Sequence, residues 1–438
     1  MIPAAALAAN INGTSGPDVL EGTPDADTIN GGGDADVMMG LAGNDTYIVG
    51  QEGDEVLEAV GDGTDQVKAT VSYTLPIYVE NLTLQSSRAI NGTGNDLNNR
   101  LTGNAAKNTL NGRAGSDRMI GRGGDDTYVV DSKGDAVIEV EGEGTDTVRS
   151  SISYTLRANV ENLTLTGSAA INGTGNELTN SMRGNSARNV LRGMEGDDAL
   201  NGSGGDDRLL GGPGNDVLTG GTGADEFQFD ELLDTDTNRD DITDFNPAED
   251  VMRLIGEVFP TLTTEGALPA AAFALGTVAG DAATRILYDQ ATGFLRYDAD
   301  GNGPAVAVRF ARLLNKPALT GASFNVVNPV AQPETPVDYA TEIQPIFTAR
   351  CLDCHIGGGA PHGLELNEGK SYSDLVNVNS KEVPTLKLVK PGNPDNSYLV
   401  QKLEGTAAVG VRMPQFRTPL TDEQIVLIRR WITEGADP

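Results

Sequence analysis

The chain has 438 residues, with 63 Asp and Glu against 31 Lys and Arg, 55 glycines and a formal net charge of −32. That balance excludes nucleic acid as a partner, because phosphate backbones would be repelled. No apolar run reaches the roughly 18 residues that a membrane-crossing helix requires, and the length allows about two to four domains.

Acidity with abundant glycine is also the composition of disordered chains, but a strict periodicity overrides that reading. The start, Met1-Ile2-Pro3-Ala4-Ala5-Ala6-Leu7, lacks a basic region and is too short for a secretory signal peptide. Export is therefore expected by another route or through an upstream segment. From Val337 onward 13 acidic residues meet 10 basic ones, a net of −3, which leaves −29 to the preceding residues. Those residues must neutralise their own carboxylates in order to pack.

Cutting the chain every nine residues exposes the repeat. Gly211-Gly212-Pro213-Gly214-Asn215-Asp216-Val217-Leu218-Thr219 is followed directly by Gly220-Gly221-Thr222-Gly223-Ala224-Asp225-Glu226-Phe227-Gln228. Both fit G-G-x-G-x-D-x-U-x, with U a large apolar residue. In this frame four units run from 13 to 48, carrying Asp18, Asp27, Asp36 and Asp45 at the sixth position. Four more, from 94 to 129, carry Asn99, Asn108, Asp117 and Asp126, and six, from 175 to 228, carry Asn180, Asn189, Asp198, Asp207, Asp216 and Asp225. The blocks begin at Gly13, Gly94 and Gly175, each nine nonapeptides after the last, and Val79-Glu80-Asn81-Leu82-Thr83-Leu84 recurs as Val160-Glu161-Asn162-Leu163-Thr164-Leu165. The intervening segments keep the phase, so they read as irregular coils of one continuous solenoid.

Glycines permit the positive φ of tight turns, the aspartates offer the hard anionic oxygens that calcium prefers, and the eighth residue (Leu20, Ile29, Met38, Leu200, Leu209) is expected to point into the core as part of a short strand. The array resembles the RTX (haemolysin-type calcium-binding) family. The resemblance implies a mainly β fold over residues 1–228, a right-handed parallel β-roll with two units per coil. It also implies several calcium ions held by Asp18, Asp27, Asp36, Asp45, Asp117, Asp126, Asp198, Asp207, Asp216 and Asp225. Stacked aspartates repel without cations, so calcium is expected to be a folding condition. Asn at position six should weaken or abolish binding, and Asp25 and Asp34 in place of the fourth glycine suggest a partly degenerate first block. The competing reading is an acidic, glycine-rich linker without ordered sites.

From 229 to 327 the nonapeptide frame stops. Asp240-Asp241-Ile242-Thr243-Asp244-Phe245 and Gly293-Phe294-Leu295-Arg296-Tyr297-Asp298-Ala299-Asp300-Gly301-Asn302-Gly303 resemble the β-rich domain that closes RTX rolls in serralysin-type proteases. A cap of that kind covers the last apolar coil of a solenoid. Asp298, Asp300 and Asn302 read as a turn first and a further calcium loop second, since the EF-hand's twelfth position would be Arg309. Residues 328–336, Asn-Pro-Val-Ala-Gln-Pro-Glu-Thr-Pro, form a semi-rigid linker.

Residues 337–438 hold the only two cysteines and the only two histidines, within Cys351-Leu352-Asp353-Cys354-His355 and at His362. C-x-x-C-H is the attachment pattern of one covalent haem c: two thiols for the vinyl groups, then an imidazole for the iron. A redox dithiol or half a zinc site are the alternatives, but no second C-x-x-C and no βαβ pattern accompany it. Tyr339, Ile343, Ile346 and Phe347 fall at helical spacing. Thr421 and Gln424 form a capping box ahead of Ile425, Ile428, Trp431 and Ile432. This order of parts resembles a small all-α class I cytochrome c. The resemblance makes Met413, followed by Pro414, the second axial iron ligand opposite His355, with His362 as competitor. Lys381, Lys387, Lys390 and Lys402 read as a solvated face first and a positive rim for an acidic redox partner second.

The expected function is electron transfer by a calcium-stabilised extracellular or cell-surface cytochrome, without catalytic residues, to a redox partner protein or extracellular acceptor. Periplasmic transit or residence is compatible, as are self-assembly and surface attachment. A structural or adhesive protein with an accessory haem is the alternative. A haem peroxidase ranks below it, since Met413 would close the iron position that such chemistry needs.

Overall fold

The computed structural model describes residues 8–234, 236–327, 337–350, 355, 364–394, 396–407, 413, 420, 422–433 and 435–436. The chain divides into two compact units, Met1–Pro329 and Val330–Pro438.

In the first unit each nonapeptide makes a tight turn and a strand of three or four residues, such as Thr28–Asn30, Val37–Met39 and Thr46–Val49. Ile29 stacks on Tyr47 and Leu20 on Met38, each pair two nonapeptides apart. One coil is therefore two repeats, and successive strands alternate between two faces. One face is built from two eight-stranded sheets, the other from a three-stranded and a fourteen-stranded sheet. From Asn10 to Phe229 every strand pairing is parallel. The fold is thus a mainly β parallel solenoid.

A strand this short can bury only its central residue. Ile29, Met38, Tyr47, Leu101, Leu110, Met119, Tyr128, Leu191, Leu200, Leu209 and Leu218 are all within 1% of complete burial. Leu20 is only partly buried, because Val19–Glu21 is the edge strand of its sheet and has a neighbour on one side alone. Between the blocks single coils are longer or shorter than two nonapeptides, yet the stack is not lost. Thr46, Gln66, Asn81 and Arg100 sit in register at unequal steps along the chain, and the steps together make three whole coils.

The strands Asp240–Ile242 and Val251–Ile255 extend the two faces beyond the last nonapeptide. Val308–Leu313 then pairs parallel to Asp240–Ile242 and antiparallel to Phe294–Tyr297, which pairs antiparallel to Ile286–Asp289. Change of direction ends the solenoid, and aromatic side chains fill its end. Phe310 meets Phe229 and Phe259 edge-on, with ring centroids 5.1 and 5.3 Å apart, and Phe259 meets Tyr297 at 5.1 Å.

The second unit has its own core. A π-helical turn, Tyr339–Ile343, runs into α1 (Gln344–Arg350), followed by α2 (Ser371–Leu375), α3 (Tyr398–Glu404) and α4 (Asp422–Thr433). The helical spacing read from the sequence is realised: Tyr339, Ile343, Ile346 and Phe347 pack in one cluster with Ile425, Ile428, Trp431 and Ile432. The Tyr339 and Trp431 rings lie 4.9 Å apart. Beneath them the Tyr339 hydroxyl donates to Ser371 Oγ at 2.6 Å, Ser371 donates to Gln344 Oε1, and Gln344 Nε2 donates to the Leu366 carbonyl at 3.0 Å. Between α2 and α3 the described backbone is turns and isolated bridges, such as Val376 with Val389, so this unit is less helical than an all-α reading expects.

Phe310→Ala should remove the centre of the terminal aromatic cluster and cost about 3–5 kcal/mol. Urea unfolding in excess calcium is the measurement; a loss under about 1 kcal/mol would mean the cap does not hold the solenoid end.

Candidate metal centres

The sixth-position side chains form two ladders. The backbone N–H of each donates to a carboxylate oxygen one coil further on: Asp198 to Asp216 Oδ1 at 2.8 Å, Asp207 to Asp225 Oδ1 at 2.9 Å, Asn108 to Asp126 Oδ1 at 2.6 Å. One oxygen of each aspartate is thereby used. What the other does divides the repeats into two classes.

In the first class the turn is open. Its second or fourth residue takes a left-handed backbone, as at Gly212 (φ 106°) and Gly214 (φ 152°), and even at Arg122 (φ 70°) and Met194 (φ 84°), where glycine would be easier. Asp36, Asp45, Asp117, Asp126, Asp198, Asp207, Asp216 and Asp225 each keep a buried Oδ2 with no hydrogen-bond partner. Each aims at the first glycine of its own turn. A Cβ at Gly193 would collide with Asp198 Oδ2 and with the carbonyl of Gly211 on the next coil, and one at Gly202 with Asp207 Oδ2 and the Gly220 carbonyl. At these two turns carboxylate and carbonyl oxygens thus converge on a cradle that no protein atom fills.

In the second class the turn is closed. The N–H of the second residue donates to the sixth side chain: Thr14 to Asp18, Thr23 to Asp27, Asn95 to Asn99, Asn104 to Asn108, Asn176 to Asn180 and Asn185 to Asn189. The Asn amides go further. Asn108 Nδ2 donates to the Ile90 carbonyl at 2.6 Å, and Asn180 Nδ2 to those of Val160 and Glu161 at 3.3 and 3.2 Å. A neutral NH2 group here satisfies carbonyls that elsewhere face the cradle. Asp18 and Asp27, expected as calcium ligands, therefore have surroundings unlike the other eight. The readable signal was Thr or Asn at position two.

Burial raises the carboxyls of Asp45, Asp117, Asp126, Asp198, Asp207, Asp216 and Asp225 above their ordinary range, with neighbouring aspartates adding to the effect. Asp198 and Asp207 are pushed up to about 7 and Asp117 and Asp225 to about 6. An unsatisfied buried polar group costs about 1–3 kcal/mol, and more when charged. Eight such groups rival the roughly 5–15 kcal/mol that a whole domain has to spare. They must be protonated or metallated, and a cradle of carboxylate and carbonyl oxygens fits calcium.

Sequence reasoning missed Glu58, Asp65, Glu139 and Asp146, which join Asp45 and Asp126 in two acidic triads. In the loop flagged as a turn or calcium site, Asp298 is buried, and Asp298 Oδ1 and Asp300 Oδ1 lack partners.

In the second unit Cys351, Cys354 and His362 lie outside the described residues, as does Thr421. His355 is half-buried; its Nδ1–H donates to the Leu364 carbonyl at 3.1 Å, and its own carbonyl accepts from the Leu366 N–H. That bond fixes the tautomer and leaves Nε2 as the basic nitrogen. Met413 is half-buried against the core, its N–H held by the Lys402 carbonyl at 2.8 Å. Lys402 is not part of a solvated face: it is buried and pairs with Glu382 at 2.7 Å. No helix among the described residues is long and apolar enough to cross a membrane.

The RTX calcium-binding nonapeptide repeat matches four segments, 12–47, 93–128, 174–209 and 201–230. The chain therefore carries RTX calcium-binding repeats on a β-solenoid. No curated protein matches it. Among solved structures it is similar to the extracellular lipase LipA from Serratia marcescens, at 12% identity and a TM-score of 0.21, over 67% of each chain.

With calcium chelated, the folded chain should hold protons that the unfolded chain releases between about pH 4 and pH 7, so stability is highest at the acid end and falls as pH rises. Thermal unfolding in EDTA should show a higher midpoint at pH 5 than at pH 8, and calcium should close the gap. A chelated protein more stable at pH 8 would contradict this.

Proposed function

We propose that the chain is an extracellular, calcium-folded scaffold whose C-terminal unit is a single-haem electron carrier. The observation that carries the scaffold reading is the row of eight buried aspartate oxygens without partners, each over a glycine cradle. Extracellular modules bind calcium at about 10⁻⁴–10⁻³ M. A solenoid with such sites stays loose where calcium is scarce and closes where it is abundant. The region after 229 takes the part of a serralysin-like cap.

Four residues would hold the haem: Cys351 and Cys354 through thioethers, His355 through Nε2 and Met413 through its sulfur. The Leu364 carbonyl supports this reading, since it orients the His355 ring and leaves Nε2 free to bind. Bound there, the haem would supply a one-electron couple, and thioether ligation would raise its potential. Met413 packs against the apolar cluster around Trp431. With His355 and Met413 both holding the iron, the unit would pass electrons to a redox partner or extracellular acceptor rather than activate a substrate.

A structural or adhesive role is the second reading, favoured by the length of the solenoid against the size of the C-terminal unit. Intact-mass spectrometry of native protein decides between them. One covalent haem per chain, lost in Cys351→Ala/Cys354→Ala, and a red-end Fe–Met absorbance band lost in Met413→Ala support electron transfer. A haem-free native chain that still assembles with calcium leaves the structural role alone.

A further inference from the structure

In the open repeats that begin at Gly193 and Gly202, the residue two nonapeptides later is another glycine, Gly211 or Gly220, whose carbonyl closes the cradle. Two other open repeats place a glutamate at that position instead. Two nonapeptides after Gly40 stands Glu58, and two after Gly121 stands Glu139. In both cases a carboxylate enters where a backbone oxygen would be. A Cβ at Gly40 would strike Asp45 Oδ2, Tyr47 Oη and Glu58 Oε1; one at Gly121 would strike Asp126 Oδ2, Tyr128 Oη and Glu139 Oε1.

The next coil adds a third carboxylate. Asp45 N–H donates to Asp65 Oδ1 at 2.8 Å, and Asp126 N–H to Asp146 Oδ1 at 2.8 Å. Carboxylate oxygens of Asp45, Glu58 and Asp65 lie within 4.8 Å of one another, as do those of Asp126, Glu139 and Asp146. Asp45, Asp65, Asp126 and Asp146 are each 1% exposed and Glu139 is 8% exposed. Asp45 Oδ2, Glu58 Oε2, Asp65 Oδ2, Asp126 Oδ2 and Glu139 Oε2 have no hydrogen-bond partner. The tyrosine hydroxyls of Tyr47 and Tyr128 donate to Glu58 Oε1 and Glu139 Oε1, so each glutamate is aimed by one oxygen and free at the other. No Lys or Arg forms an ion pair with either triad among the described residues.

We propose that Asp45–Glu58–Asp65 and Asp126–Glu139–Asp146 are two cation sites of a separate, tighter class, each taking one hard divalent ion such as calcium before the nonapeptide cradles fill. Affinity in oxygen sites rises with carboxylate count and rigidity. These sites have three carboxylates, with the glutamate fixed by a buried tyrosine. The inference rests on the calcium reading of the repeats but does not follow from it.

Calcium titration of the full chain against a chromophoric chelator is the test. Wild-type protein should show two sites about ten-fold tighter than the remainder. Glu58→Gln/Glu139→Gln should lose those two and keep the weaker set, and Tyr47→Phe/Tyr128→Phe should weaken both without removing them. If the double glutamine variant does not fold, each single variant should lose one tight site. A single affinity class in wild type, or two tight sites surviving in the glutamine variants, overturns this inference while leaving the repeats as calcium sites. No calcium bound by wild type overturns both.

Discussion

The solenoid depends on an unfinished interaction. Every open-class aspartate spends one oxygen on the backbone of the preceding coil and leaves the other facing a glycine, out of reach of solvent and of any donor. The same contact that fixes the spacing of the coils brings like charges into line. Packing and electrostatics therefore pull in opposite directions, and the apolar stack of central strand residues cannot relieve the charge. Where the carboxyls are ionised, a cation satisfies carboxylate and carbonyl together.

The closed turns show the alternative solution. Where Asn replaces Asp, an amide NH2 bonds the neighbouring carbonyls directly, and the turn drops its left-handed residues. The Asn-bearing coils lie at the start of the second and third blocks. Charge-dependent and charge-independent coils therefore alternate along one axis, and coils that need no ion can template those that do.

Much of this was legible in the sequence because the nonapeptide period fixes both the turn and the central buried residue. Tyr47 and Tyr128 occupy the position read as apolar core, and their rings fill it; that their hydroxyls would aim a glutamate required the fold. Glu58 lies outside the consensus, in the irregular coil that carries the chain from Thr46 to its partner Gln66, so no frame-based reading could reach it. Asp18 and Asp27 matched the motif yet meet the N–H of Thr14 and Thr23, a difference set by backbone conformation rather than residue type at position six. In the C-terminal unit, amphipathic spacing located Phe347 and Trp431 in the core. It could not foresee that the Lys402 ammonium would be drawn inside by Glu382.

Consecutive blocks start nine nonapeptides apart, which is four and a half coils, and the odd half has a rotational consequence. Thr46–Val49 belongs to one sheet face and the duplicated Thr127–Val130 to the other. A tandem copy has thus been turned through half a revolution, placing its twin on the reverse flank. The turns of Asp45 and Asp126, which lead into these strands, therefore stand on opposite sides of the solenoid.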